Sequence, residues 1–180
     1  MDTRTRILQA ARRAFAERGY AATRLDELAA ELGLTKGAFY HHFPNKRALL
    51  EALLAESRAQ ARAALEGPGS LEERLLGYAL AYREGVEPLA ALATAQGGRG
   101  GEEEARLLAK EAMRREMAYL EAFFEARFPG RGRSLAALFS SMVHGAHMLE
   151  RHLGGYRAEA LLGEWIRVFV KGLSEGEEEA

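Results

Sequence analysis

The sequence of 180 residues contains no cysteine, and this absence excludes several kinds of chemistry. Without thiols there is no disulfide framework, no cysteine ligand for a metal and no cysteine nucleophile. No apolar run approaches the roughly 20 residues of a membrane helix, and the N-terminal residues MDTRTRILQA lack the apolar core of a signal peptide. We therefore expect a cytoplasmic protein with no membrane partner.

Strand-like alternation of apolar and polar residues is also lacking, while almost every segment repeats its apolar residues with the period of a helix. We therefore predict an all-α protein of about nine helices. The linker Gly67-Pro68-Gly69, followed by a capping box of Ser70 and Glu73, marks the start of the fifth helix. A sixth helix is predicted to start near Pro88. The glycine-rich residues 97–101 lack the flanking pattern of a nucleotide-binding motif, which favours a flexible loop.

The formal net charge of −1 conceals an asymmetry along the chain. Residues 1–47 contain nine Lys/Arg and five Asp/Glu, a charge of about +4, whereas residues 48–180 contain sixteen and twenty-one, about −5. A basic first segment suits a polyanion such as DNA, although a chance excess of cations on a solvated surface gives the same count.

The first helix is predicted to run from about Thr3 to Arg18, with Gly19 just past its end as a C-cap. Its apolar residues repeat on one side, and we expect that side to face a core. These residues are Ile7, Leu8, Ala11, Ala14 and Phe15. Arg4, Arg12 and Arg13 lie elsewhere on the helix and are predicted to face solvent or phosphate.

Two short helices follow, joined through a glycine. Thr23 is predicted to cap the first of them, with Asp26 at the capping-box position, and Thr35 is predicted to cap the second. Gly33 supplies the tight turn, four residues after the small residue Ala29. Two short helices joined in this way are the sequence outline of a helix-turn-helix.

The second of these short helices, which is the third of the chain, carries two kinds of side chain on opposite sides. Phe39 and Phe43 are four residues apart and share a side, which we assign to the core. The remaining sides carry Lys36, Gly37, Ala38, Tyr40 and His41. Such a surface fits a major groove, where a lysine donates to guanine acceptors and small side chains touch thymine methyl groups. Taken alone, Tyr40, His41 and His42 are equally consistent with the polar side of an amphipathic helix.

Pro44 ends this helix, and Asn45 is predicted to cap a fourth, from Lys46 to about Glu66. Three helix N-termini, at Thr23, Thr35 and Asn45, thus fall close together in the sequence. Each presents free N–H groups and a positive dipole end, which suit phosphate.

The stretch LGLTKGAFYHHFPNKRALL, residues 32–50, resembles the N-terminal domain of TetR-family transcriptional regulators. The resemblance covers about the first fifty residues. It implies that the third helix is the recognition helix and that Tyr40 and Lys46 hold DNA phosphates. Together with the pattern above, it gives the predicted DNA-binding residues: Thr23, Thr35, Lys36, Gly37, Ala38, Tyr40, His41, His42 and Lys46.

Residues 48–180 are predicted to form a C-terminal helical bundle that dimerises and binds an effector, separate from a helix-turn-helix domain at 1–47. The apolar residues of the last helix make a face too wide for one neighbouring helix. The residues assigned to dimerisation are Leu161, Leu162, Trp165, Ile166, Phe169 and Val170. The family resemblance implies that the last two helices pair with their copies across a two-fold axis.

Arg115 is the unusual residue of this second domain, because it falls on the apolar stripe of the long seventh helix. It either pairs with Glu111, extends its charge to solvent, or holds the negative charge of a small-molecule effector in a pocket. The residues we assign to an effector site are Tyr82, Arg115, Tyr119, Phe123 and His144.

His144 and His147 are three residues apart and, with Glu150, could share a divalent metal, although a structural histidine pair in an interface explains them equally. An enzyme would have only these residues and Arg115 to work with, and no nucleophile lies beside an oriented base. A non-DNA-binding interaction module is disfavoured by the basic first segment. We therefore expect a homodimeric repressor of a palindromic operator, released by a small molecule, with no cofactor, metal or catalytic site.

Overall fold

The computed structural model describes residues 2–85 and 101–178, and within these ranges all regular structure is α-helical. The helices are α1 (Thr3–Arg18), α2 (Leu25–Glu31), α3 (Lys36–His42), α4 (Lys46–Glu66), α5 (Leu71–Gly85), α6 (Gly101–Glu125), α7 (Gly132–Leu153) and α8 (Ala158–Glu178). This confirms the predicted all-α class. The helix predicted near Pro88 and residues 97–100 of the predicted loop lie outside the described residues. No helix in the described part is long and apolar enough to cross a membrane.

The described residues fall into two compact units. The first contains residues 2–57, Gly85 and residues 101–113, and the second contains residues 58–84 and 114–178. These bounds differ from the predicted division at 47/48. The first four buried leucines of α4, from Leu49 to Leu54, belong to the core of the first unit, and so do Ala105 and Ala112 of α6.

The core of the first unit explains why α2 and α3 form at all. Each has only seven residues, which is too short to be a stable helix in isolation. Leu28 of α2 and Phe39 of α3 are completely buried, and burial of such a side chain stabilises the fold by about 1.5–3 kcal/mol. The apolar side predicted for α1, from Ile7 to Phe15, is buried in the same core, which confirms that prediction.

The turn between α2 and α3 depends on Gly33. Its φ is +67°, in the left-handed region that favours glycine. The turn closes with Leu34 N–H donating to the carbonyl of Ala29 at 2.9 Å, and Ala29 is itself buried. The predicted glycine turn is confirmed, and it fixes the direction in which α3 leaves α2.

The second unit is built around aromatic rings. The ring centroid of Phe139 of α7 lies 5.7 Å from that of Tyr78 of α5 and 5.9 Å from that of Phe124 of α6. Phe169 of α8 lies 5.9 Å from Phe124. The predicted capping box of α5 is confirmed: Glu73 N–H donates to the Ser70 hydroxyl, and Ser70 N–H donates to the Glu73 carboxylate.

Helix α7 begins at Gly132, where a carboxylate of the preceding helix caps it. Glu125, the last residue of α6, accepts hydrogen bonds from the N–H groups of Gly130 at 2.7 Å and Gly132 at 2.9 Å. These two bonds hold the pKa of Glu125 below its ordinary value. A Cβ at position 132 would lie 2.6 Å from the carbonyl oxygen of Glu121, so the close approach there requires glycine.

Candidate nucleic-acid interface

Helix α3 is held by its two phenylalanines. Phe39 and Phe43 are both buried, as predicted, although Phe43 is the C-cap and lies just outside the helix. The Thr35 hydroxyl oxygen accepts a hydrogen bond from Ala38 N–H at 3.2 Å, which confirms Thr35 as the N-cap. The other predicted residues of α3 are exposed, except His42, which is half-buried. Lys36, Gly37, Ala38, Tyr40 and His41 thus form an accessible surface.

A carboxylate lies between two of these exposed side chains. Lys36 Nζ is 2.6 Å from one oxygen of Asp26, and the Tyr40 hydroxyl donates to the other oxygen at 3.2 Å. The ion pair lowers the pKa of Asp26 and raises the pKa of Lys36, since the hydrogen bond favours the charged form of both groups. Asp26 on α2 therefore joins two of the predicted DNA-binding residues. The sequence pattern had assigned it only to a capping box.

Lys46 has a different environment from the one predicted. Its ammonium group donates to the backbone carbonyls of Tyr20 at 2.7 Å, Ala21 at 3.1 Å and Thr23 at 3.0 Å, and it lies 4.7 Å from the centroid of the Tyr20 ring. Partial burial lowers the pKa of Lys46. A lysine has three N–H donors, so all of them are used within the first unit. Its predicted role as a phosphate contact stays a prediction.

Thr23 requires a correction. The N-cap of α2 is Arg24, which makes no side-chain capping bond, and Asp26 is not part of a capping box. The Thr23 side chain is buried, and its hydroxyl donates to the carbonyls of Ala14 at 3.3 Å and Gly19 at 2.8 Å at the end of α1. The capping role predicted for Thr23 is therefore wrong, while its predicted contact with DNA stays a prediction.

Arg12 also departs from its predicted place on the surface of α1. Its guanidinium donates to the Ser57 hydroxyl at 3.0 Å, to the carbonyl of Gly85 at 3.0 Å and to the Glu56 carboxylate at 3.3 Å. The prediction that Arg12 faces solvent or phosphate is therefore wrong. Arg4 and Arg13 are exposed, as predicted, and Arg4 lies over the ring of Phe43.

The N-terminus of α4 is capped as predicted. Asn45 Oδ1 accepts a hydrogen bond from Ala48 N–H at 2.8 Å. At both Thr35 and Asn45, one of the N–H groups that was expected to be free is thus already bonded to the cap residue.

The buried charge on α6 is Glu116, not Arg115. Arg115 is exposed, whereas Glu116 is only 3% exposed and accepts hydrogen bonds from the Arg62 guanidinium at 2.8 Å and from the Tyr78 hydroxyl at 3.0 Å. Tyr119, four residues after Arg115 on the same side of the helix, is only half-buried, so this side is the margin of the buried face, whereas Glu116 lies within that face. The prediction that Arg115 lies on the inward side is wrong.

The other predicted effector residues lie in different settings. Tyr82 is half-buried and stacks on Tyr78, and Tyr119 is half-buried with its hydroxyl donating to Glu66 at 2.6 Å. Phe123 is buried, with the Arg127 guanidinium 4.0 Å from its ring centroid, while His144 is exposed. Tyr82, Tyr119 and Phe123 thus lie in or against the core of the second unit, whereas Arg115 and His144 are exposed. The predicted effector site stays a prediction.

The proposed third ligand of a metal site already has partners. Glu150 accepts a hydrogen bond from Ala158 N–H at 3.0 Å, at the start of α8, and forms an ion pair with Arg83 at 3.3 Å. In the described ranges, no three acidic or histidine side chains are grouped as a metal ion requires. Glu150 is thus explained by the connection of α7 to α8.

The residues assigned to dimerisation divide into two sets. Leu162 and Ile166 are completely buried within their own unit, so they hold α8 in place and have no surface left for a second copy. Leu161, Trp165, Phe169 and Val170 are only half-buried. Two residues that the sequence pattern missed are more exposed than these: Val168 at 67% and Leu138 of α7 at 51%.

The first unit is thus a helix-turn-helix domain, in which α2 and α3 are the two helices of the motif and the outer surface of the seven-residue α3 is accessible. Comparison with known proteins agrees. Residues 7–53 match the family model described as bacterial regulatory proteins, tetR family. The chain is 51% identical over 53 residues to the transcriptional regulator TtgR of Pseudomonas putida, which is 29% of this chain and 25% of TtgR.

Two further comparisons cover more of the chain than the match to TtgR does. UidR of Escherichia coli, also a transcriptional regulator, is 36% identical over 66 residues, which is 37% of this chain and 34% of UidR. The matched stretch therefore spans about a quarter of TtgR and a third of UidR. A crystal structure of a transcriptional regulator from Aquifex aeolicus superposes with a TM-score of 0.74 at 22% identity, covering 96% of this chain and 99% of that one.

These matches confirm the family resemblance. Residues 7–53 have the sequence pattern of the TetR family, and the described part of the chain has the fold of TetR-family regulators.

Proposed function

We propose that the protein is a DNA-binding transcriptional regulator, a homodimeric repressor that binds a palindromic operator and is released by a small-molecule effector. The observation that carries the proposal is the accessible outer surface of α3 on a helix-turn-helix domain. Lys36, Gly37, Ala38 and His41 are placed to meet base edges in a major groove. The relatives TtgR and UidR, whose names describe transcriptional regulators, support the same function.

Dimerisation is proposed through α7 and α8. Leu138 and Val168 are exposed apolar residues on these helices, and Trp165 and Phe169 add half-buried aromatic surface. Contiguous apolar surface of this kind marks interaction sites. A two-fold dimer places two recognition helices in successive major grooves, so its half-sites must be separated by about one helical turn of DNA or a multiple of it.

Release by an effector is proposed for the second unit. There Tyr82 stacks on Tyr78, which donates to the buried carboxylate of Glu116, and the Tyr119 ring centroid lies 4.0 Å from the Arg62 guanidinium, the other partner of Glu116. In a dimer, the two helix-turn-helix domains, here called the heads, have one separation that fits DNA and another that does not. An effector releases DNA only if its affinity differs between these two arrangements. Crystal structures with and without a bound effector that show the same head separation would contradict this step.

Selection of bound sequences from random duplex DNA with the full chain tests the function. We expect enrichment of a palindrome with half-sites about 10 base pairs apart or a multiple of that. The variant Lys36→Ala is expected to alter preference at particular bases while changing affinity for random DNA little. Failure of the chain to bind any duplex, even at low salt, would defeat the proposal.

A further inference from the structure

The carboxylate of Asp26 is out of place on a surface that meets DNA. It is half-exposed beside Lys36, on the accessible side of the helix-turn-helix. Double-stranded DNA carries about one negative charge per 1.7 Å of its axis, so a carboxylate at this position is repelled by the backbone. An exposed ion pair adds little to the stability of a fold, and Asp26 does not cap α2. Asp26 lies in the first turn of α2, where the helix dipole favours an acid, but the same holds for Glu27, which pairs with arginines and not with Lys36. The dipole therefore does not explain the contact of Asp26 with Lys36.

The geometry at Asp26 changes what its two neighbours offer to DNA. Lys36 Nζ at 2.6 Å and the Tyr40 hydroxyl at 3.2 Å both donate to the carboxylate. The pair of Lys36 and Asp26 has no net charge, so it attracts a phosphate weakly. Tyr40 has only one O–H, which already points at Asp26, and its lone pairs find no donor on a phosphate.

Base edges are treated differently from phosphates by the same arrangement. Lysine has three N–H donors, and one is used by Asp26, so two remain for the neutral O6 and N7 acceptors of guanine. A neutral acceptor does not repel the carboxylate, whereas a phosphate beside Lys36 brings a second negative charge close to Asp26. The carboxylate thus penalises backbone contacts more than base contacts.

We propose that Asp26 is a specificity-determining residue, which withholds Lys36 and Tyr40 from non-specific phosphate binding and leaves Lys36 available for a base edge. The inference rests on the proposed DNA-binding function. It predicts that the protein gives up affinity for random DNA, and that its preference for the operator over random DNA is larger for that reason.

The test compares the wild-type chain with Asp26→Asn on two probes, a 30-base-pair duplex of random sequence and the duplex obtained by selection. Affinities are measured over a series of salt concentrations. At about 0.1 M salt, Asp26→Asn is expected to bind random DNA about three- to tenfold more tightly. The salt slope, which is the slope of log affinity against log salt concentration, should become steeper by about 0.9 for each helix-turn-helix domain. Affinity for the selected duplex is expected to rise less, so the ratio between the two probes falls.

Glu27→Gln is the matched control. Glu27 is the next residue of α2, is exposed, and loses the same charge, but its carboxylate lies 3.8 Å from Arg18 and from Arg24 and does not contact Lys36. A smaller change is expected. In the background Lys36→Met there is no lysine to release, so Asp26→Asn should gain only about as much affinity for random DNA as Glu27→Gln does.

Three results would overturn the inference. These are an unchanged salt slope for Asp26→Asn, an equal gain for Glu27→Gln, and an undiminished gain for Asp26→Asn in the Lys36→Met background. Asp26→Ser, a second uncharged substitution at this position, decides the question if Asp26→Asn does not fold. A wild-type chain that binds neither probe would instead defeat the proposed function itself.

Discussion

The ammonium group of Lys46 has three N–H donors, and the carbonyls of Tyr20, Ala21 and Thr23 accept them. These carbonyls belong to the connection between α1 and α2. In the first unit, Lys46 therefore fastens that connection to the start of α4. Contact with a phosphate would require it to give up at least one of these bonds.

The variant Lys46→Met separates the two roles of this lysine. Hydrogen bonds to charged groups are worth about 1.5–3 kcal/mol, so we expect a loss of about 1 kcal/mol here, where the ammonium group is only partly buried. Urea unfolding measures the loss. Arg47→Met, at an exposed neighbour that pairs with Glu51, should cost no more than about 0.5 kcal/mol. An unchanged unfolding midpoint, with a DNA salt slope lower by about 0.9, would favour the phosphate role instead.

At the scale of elements, the start of α7 depends on a carboxylate that belongs to α6. Glu125 accepts the N–H groups of Gly130 and Gly132, which would otherwise lack partners at the helix end. Its negative charge also lies at the positive end of the dipole of α7. The cap thus joins two helices through two hydrogen bonds and one charge.

This cap has a predictable dependence on pH. The folded-state pKa of Glu125 is lowered, so its contribution is complete above the ordinary glutamate value of about 4.3 and is lost as the pH falls through the folded value. Glu125→Gln should therefore lower the unfolding midpoint at pH 7, and the difference from wild type should shrink as the pH falls from about 5 toward 3. Glu164→Gln, at an exposed site on α8, should show a smaller effect at pH 7. A difference that grows in acid would contradict the assignment.

Elements with local signals could be predicted from the sequence. The start of α3 follows from Thr35, the turn before it from Gly33, and the start of α5 from Ser70 and Glu73, because each signal acts within four residues. The same holds for the burial of Phe39, which follows from its spacing.

Contacts between elements could not be predicted in this way. The Thr23 hydroxyl had two local uses, capping α2 or bonding the end of α1, and the packing of the unit selected the second. The pairing of Asp26 with Lys36 joins different helices, ten residues apart, so no helical spacing reveals it. Arg115 was mistaken for the inward residue because it shares a side of α6 with Tyr119, and that side is only the margin of the buried face.

At the scale of the whole molecule, the proposed function requires two copies of the chain, because one recognition helix contacts too few base pairs to select a site. The exposed apolar residues Leu138 of α7 and Val168 of α8 are the proposed centre of the contact between copies. Leu162 and Ile166, which the pattern had also assigned to it, support the surface from beneath.

A charge placed at this contact should separate the copies. Val168→Glu and Leu138→Glu are each expected to weaken dimerisation by about 100-fold or more, because an unpaired charge buried in an interface costs about 3–5 kcal/mol. Sedimentation of the full chain over a range of concentrations measures this. Leu107→Glu is the control, since Leu107 of α6 is 56% exposed and lies on the other unit. Equal dissociation by all three variants would point to general charge repulsion.

The first unit is assembled from separate stretches of the chain, and this affects how it is made in the cell. Ala105 and Ala112 of α6 lie in the same core as Phe39 and Leu50, and the Gly85 carbonyl accepts from Arg12. A ribosome that has just released residue 57 has therefore not yet supplied the whole core. At about 5–20 residues per second, synthesis of residues 58–113 takes about 3–11 s. During that interval the nascent helix-turn-helix exposes apolar surface that the finished protein covers. A helix-turn-helix domain fused to another protein without residues 101–113 would leave that surface exposed permanently.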